Sequence, residues 1–173
     1  HHLGNYVDVV ATLDAMRQAG LTPDTQQMRQ ALALYYRAGA YAQCEELLQR
    51  LVELQPDDAQ HWHLLAAVYL QQDKKKQALD QLTLARDKRI PFSERDLLLL
   101  ANLQAVNNNP YGAAQTLQSA LAQGEISASG ASYRKLFEFW LQAREQEKAR
   151  VALEQATKMS GDTELYLYLA QLQ

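Results

Sequence analysis

A residue pattern recurs every 34 to 36 positions along this chain of 173 residues, and that period constrains the fold more than any other feature. Counting from Thr25 as position 1, the first copy puts Met28, Ala31, Leu32, Tyr35, Cys44, Leu48, Leu51 and Pro56 at positions 4, 7, 8, 11, 20, 24, 27 and 32. A restart at Ala59 gives Trp62, Leu65, Ala66, Tyr69, Ala78, Leu82, Ala85 and Ile90. Restarts at Glu94 and Gly130 give Leu97, Leu100, Ala101, Gln104, Ala113, Leu117, Ala120 and Glu125, then Tyr133, Leu136, Phe137, Trp140, Ala149, Leu153, Ala156 and Gly161. Steps of three and four mark one face of an α-helix, and each copy holds two such runs. A period of this size means stacked units, because one helix pair cannot bury its apolar face alone. Large residues at positions 4, 7, 11 and 24 fill the space between antiparallel helices, and small ones at 8, 20 and 27 let the backbones approach. Leu32 and Phe137 break the small-residue rule at position 8, which predicts more open packing in those two copies.

The order Trp-x2-Leu-Ala-x2-Tyr followed by Ala-x3-Leu-x2-Ala, fullest between Trp62 and Ala85, resembles the tetratricopeptide repeat (TPR), a helix-turn-helix unit. The resemblance implies an all-α, right-handed α-solenoid whose first helices line a concave surface. On this register residues 1–173 form one superhelix segment: 5–24 is the second helix of a preceding repeat, 25–58, 59–93, 94–129 and 130–162 are TPR units, and 163–173 is the first helix of a further one. In the leading helix Val9 or Val10, Leu13 and Met16 face inward. Its closing phrase, Ala15 to Asp24, also resembles the RNA-reading pentatricopeptide repeat, but the units that follow return to TPR character. Ser93 with Glu94 and Asp96 supplies a helix start, as does Asp162 or Thr163 for the last helix. Gly39, Asn107 to Pro110, Gly124 and Gly161 fall at turns or helix ends.

Composition narrows the function. With 47% hydrophobic and 21% charged residues the chain can bury a core, and it has no apolar run long enough to span a bilayer. A net charge of -3 opposes binding to nucleic acid. The lone Cys44 excludes an internal disulfide and a Cys-only metal site. The opening His1-His2-Leu3-Gly4 lacks an initiator Met and reads as a tag remnant, and Gln173 closes an apolar-periodic run, so both ends read as cuts within a longer protein. The helix faces left at those ends are expected to support an artificial dimer, which sedimentation of a longer version of the chain would test.

A search for chemistry yields no catalytic, cofactor-binding or metal-binding residues and no small-molecule substrate site. His61 and His63 flank Trp62 two residues apart, about 200° around a helix, so they cannot grip one ion. Cys44 stands where the repeat prefers a small packing residue, and a nucleophile would need a base and an oxyanion site that the sequence does not supply. Glu45, Glu46, Glu145 and Glu147 read as surface salt-bridge partners of Arg50, Lys148 and Arg150, and Lys74-Lys75-Lys76 as a solvated turn. What remains is the concave face. The register puts Gln26, Arg29, Tyr36, Arg37, His63, Leu70, Arg95, Asn102, Arg134 and Glu138 on it. Its excess of cations, interleaved with apolar side chains, suits a partner protein or peptide carrying acidic residues, against the alternative of an ordinary solvated groove. Arg29, Arg37, Arg95 and Arg134 are the expected contacts. The carboxylate clamp of chaperone-adaptor TPR domains is absent, since Ala33, Leu64 and Leu99 replace its polar residues.

Three phrases carry a narrower resemblance over about residues 30–173: Leu34-Tyr35-Tyr36, Leu99 to Leu103 with Asn109-Pro110-Tyr111-Gly112-Ala113-Ala114, and Ser160-Gly161-Asp162-Thr163-Glu164-Leu165-Tyr166. They are similar to TPR proteins encoded beside TonB, ExbB and ExbD genes in gammaproteobacteria. That resemblance implies a non-enzymatic accessory of a TonB-dependent transport system in the periplasm or cell envelope, acting through contacts with TonB, ExbB or ExbD components. The alternative is a cytoplasmic TPR adaptor that recruits or regulates an enzyme.

Overall fold

The computed structural model describes residues 2–171, with side chains from Val7 onward, and these residues are all-α. The helices are α1 (His2–Gln18), α2 (Thr25–Arg37), α3 (Tyr41–Leu54), α4 (Ala59–Gln71), α5 (Lys75–Asp87), α6 (Glu94–Val106), α7 (Pro110–Ala122), α8 (Gly130–Gln142), α9 (Gln146–Ser160) and α10 (Thr163–Gln171). They divide into two compact units, the first ending at Ile90 and the second starting at Pro91. Within each unit every helix packs on its neighbours in sequence order, as an α-solenoid of helical repeats requires.

The small and large positions of the repeat are its core. Cys44, Ala78, Ala113 and Ala149 at position 20, and Leu48, Leu82, Leu117 and Leu153 at position 24, are all buried. In the first unit Met28, Ala31, Tyr35, Leu48 and Leu51 join Leu65 and Val68, with Val9, Val10 and Leu13 of α1 packed against them. The second unit's core runs from Leu97 to Leu165 and is anchored by Trp140, Phe139 and Leu153. The two bulky residues at position 8 point toward the next first helix of their own unit. Leu32 lines a cavity that α2 shares with α4, and Phe137 meets Tyr168 of α10 edge-on at 5.6 Å.

Helix starts follow their caps. Asp24, Ser93 and Ser129 each accept the backbone N–H three residues on, and the side chains of Gln27, Asp96 and Ser132 return the bond. Asn109 accepts from Gly112 at 2.8 Å with Pro110 at the first helical position, so the Asn-Pro-Tyr-Gly phrase is a helix start. A Cβ on Gly112 would lie 2.4 Å from the Asn109 carboxamide, which explains the glycine. Of the two candidates for the last helix, Asp162 supplies the bond, accepting Glu164 N–H at 3.0 Å.

Helix ends share one device. After α4, α5, α6 and α8 a non-glycine residue turns left-handed: Asp73, Arg89, Asn108 and Arg144, with φ of 57°, 60°, 63° and 60°. The next N–H then reaches back five residues, as from Lys74 to Tyr69 O at 2.9 Å and from Glu145 to Trp140 O at 2.9 Å. That conformation costs an ordinary L-residue about 1–2 kcal/mol, part of which glycine loses again through its freer unfolded chain. Arg89→Gly and Arg144→Gly are therefore expected to stabilise the protein by about 0.5–1 kcal/mol each, read as a higher urea midpoint.

Candidate partner-binding groove

Helices α2 and α4, the first helices of adjacent pairs in the first unit, border a cavity of about 470 Å³. One α2 face contributes Arg29, Leu32, Ala33, Tyr36 and Arg37, spaced by three and four, while Asp58, Gln60, His61 and Leu64 close the other side. Leu32, Ala33 and Leu64 make the apolar part. The polar part centres on Asp58, the residue that caps α4: its Oδ1 accepts the Gln60 N–H at 3.1 Å. Its Oδ2 holds the Arg29 guanidinium at 3.0 Å, and Arg29 also donates to Gln55 Oε1 at 2.7 Å.

His61 faces the same Asp58 oxygen. Its Nδ1 lies 3.6 Å from Oδ2, beyond hydrogen-bond reach, and has no hydrogen-bond partner among the described residues. The side chain is 5% exposed. Burial pushes its pKa below the usual histidine range; Asp58 opposes that shift and Arg29 adds to it. At neutral pH the ring is uncharged. Arg37 is exposed at the groove's other end and makes no ion pair among the described residues.

Of the side chains assigned to a concave face by sequence, Arg29, Tyr36 and Arg37 line this cavity. Gln26 is exposed outside it, and His63 and Leu70 are half-buried on α4. In the second unit Arg95 and Asn102 are exposed on α6. On α8 the Arg134 Nε lies 3.8 Å from Glu138, whose other oxygen is 3.6 Å from Lys135. Two of the four expected contact arginines are thus already paired within the chain. The groove residues that sequence reasoning missed are Leu32, Asp58, His61 and Leu64. Repeat positions 3 and 6 on α4 and the cap before it were the available signal.

Other candidates resolve into packing and surface ion pairs. Cys44 is fully buried, its thiol 4.0 Å from the Leu32 carbonyl, and burial pushes its pKa up, so it is not an activated nucleophile. Lys74 is not simply a solvated turn residue: it directly precedes α5 and its ammonium meets Glu45 at 2.6 Å. Burial works against the Glu45 charge, yet hydrogen bonds from Lys74 and Gln72 hold its carboxyl below the usual value. Within the second unit a cavity of about 540 Å³ lies among α7, α8 and α9, floored by Tyr133, Leu136 and Trp140. At its rim Lys148 sits 4.6 Å from the Trp140 ring and 4.9 Å from Tyr111. Among the described residues no group of three or more His, Cys, Asp or Glu could hold a metal ion, and no helix is long and apolar enough to cross a membrane.

These helix pairs have the TPR fold, and solved structures agree. MamA, from residue 41 to its end, of Desulfovibrio magneticus RS-1 is similar with a TM-score of 0.62 and 13% identity, over 85% of this chain and 82% of that one. YrrB, described as a TPR protein with an unusual peptide-binding site, has a TM-score of 0.59 and 14% identity over 84% and 73%. The Naa15/Naa10 complex bound to HypK-THB reaches a TM-score of 0.71 at 16% identity, over 98% of this chain and 26% of that one. Identities this low establish the fold alone. No protein-family model and no curated protein matches the sequence.

Proposed function

We propose that the chain is a non-enzymatic protein-interaction scaffold whose groove between α2 and α4 takes a peptide segment pairing an acidic residue with an apolar one. The observation that carries this reading is the joining of an apolar floor, Leu32 and Leu64, to a cation, Arg37, with no ion-pair partner among the described residues. YrrB, a TPR protein of similar fold described as having an unusual peptide-binding site, supports this reading. A carboxylate meeting Arg37 beside buried apolar contacts gains a charge-assisted hydrogen bond worth about 1.5–3 kcal/mol.

The test is fluorescence anisotropy with a library of twelve-residue peptides, each holding Asp or Glu beside Leu. Arg37→Glu is expected to weaken the tightest binder at least about tenfold. Lys158→Glu, an exposed change on α9, is expected to leave it unchanged. Binding that is indifferent to Arg37→Glu would remove the groove from the reading.

The wider context we propose is an accessory role in a TonB-dependent envelope transport system, in the periplasm or cell envelope, with TonB, ExbB or ExbD components as partners. Its support is the sequence resemblance in the Asn109-Pro110-Tyr111 and Ser160-Gly161-Asp162 phrases. Affinity capture by the full-length protein from detergent-solubilised envelopes tests it, and recovery of soluble cytoplasmic proteins alone would overturn it.

A further inference from the structure

Peptide docking through Arg37 leaves a buried titratable group of the groove unused. His61 is buried, lines the cavity, and points Nδ1 at an oxygen already occupied by another cation. Asp58 Oδ2 thus stands between two claimants, Arg29 at 3.0 Å and His61 at 3.6 Å. While His61 is neutral, Arg29 holds the oxygen, and the groove's formal charges sum to +1: Arg29 and Arg37 against Asp58.

Resting on the groove reading above, we propose that His61 is a proton-operated control on that groove: on taking a proton it claims Asp58, releases Arg29 toward the ligand, and strengthens capture of an acidic partner.

The geometry supports each step. A protonated imidazole carries full positive charge next to Oδ2, and two cations on one oxygen repel, so the one free to move away gives way. Arg29 is the one able to leave, since its side chain is half-exposed and long, whereas His61 is enclosed. Asp58 is fixed, because its other oxygen caps α4. The charged groups acting on His61 are Asp58, at the head of its own helix, and Arg29 of α2; among the described residues α3 and α5 add none. Protonation therefore raises the groove's formal charge from +1 to +2 and frees a second guanidinium beside Arg37 and Tyr36. Burial of the neutral ring keeps the control off at neutral pH, and a bound carboxylate favours the charged ring. Affinity for an acidic segment then rises as pH falls, with a fraction of a proton taken up per ligand bound.

The experiment measures the dissociation constant of the tightest acidic peptide from the library at pH 7.5, 6.5 and 5.5. Wild type is expected to bind about tenfold more tightly at pH 5.5 than at 7.5, as a linkage of one pKa unit gives. His61→Gln is expected to lose the pH dependence, binding equally at pH 5.5 and 7.5 at whatever affinity it has. Asp58→Asn preserves a capping oxygen and frees Arg29 at every pH. It is expected to bind at pH 7.5 about as tightly as wild type at pH 5.5, with a flat profile, which keeps the test decisive if His61→Gln fails to fold. Wild-type affinity that ignores pH, or a slope that survives in Asp58→Asn, overturns the control and leaves the groove reading intact. Absence of binding by every peptide at every pH overturns both.

Discussion

Trp62→Ala is expected to cost about 3–5 kcal/mol, enough to remove a large share of a typical domain's stability. Trp62 is 2% exposed, and its indole N–H donates to the Pro56 carbonyl at 2.8 Å, tying α4 to the turn that precedes it. Truncation leaves a large void and also strips that carbonyl of its partner. Urea denaturation followed by helical circular dichroism measures the loss. Trp62→Phe separates the two contributions, because it keeps most of the volume and loses only the hydrogen bond, and its expected cost is about 1–3 kcal/mol. Equal midpoints for the Ala variant and wild type would mean that position 4 is not a core position.

The second large effect tests the register itself on a single helix. Leu153 and Val151 are two residues apart on α9, yet Leu153 is fully buried and Val151 is 51% exposed. Leu153→Ala is expected to cost about 2–5 kcal/mol, and Val151→Ala at most about 0.5 kcal/mol. A register wrong by two residues would exchange those outcomes, so the ratio of the two costs decides it.

The core was legible because it depends on volume at fixed spacing. Positions 20 and 24 hold Cys44 or Ala and Leu in every copy, and a helix pair can bury that combination in only one way. Turn chemistry was partly legible. Gly39, Gly124 and Gly161 announce left-handed residues, whereas Asp73, Arg89 and Arg144 adopt the same conformation without any glycine signal. There the backbone bonds of the helix end impose a geometry that the residue type does not favour. The first helices also diverge at position 11: Trp140 is buried, but Gln104 is half-buried and accepts a hydrogen bond from Thr116 at 2.8 Å.

The candidate groove was half legible. Arg29, Tyr36 and Arg37 follow from counting along α2. What counting cannot give is which cation a neighbouring helix has already neutralised. Arg29 is held by Asp58 because the cap of α4 comes within reach of α2, a tertiary fact, and the same approach encloses His61. Sequence reasoning placed His63 on the groove side and left His61 at the edge of Trp62. Helix geometry allows either, and the cavity that α2 shares with the start of α4, where Arg29 meets Asp58, decides it.

Cys44 gives this protein a chemical clock. The chain has one sulfhydryl, and it is sealed between α2 and α3 with none of its surface accessible. A thiol reagent added to the folded protein can react only in molecules whose α2–α3 pair has parted, so the labelling rate reports how often the first unit opens, with no engineered probe.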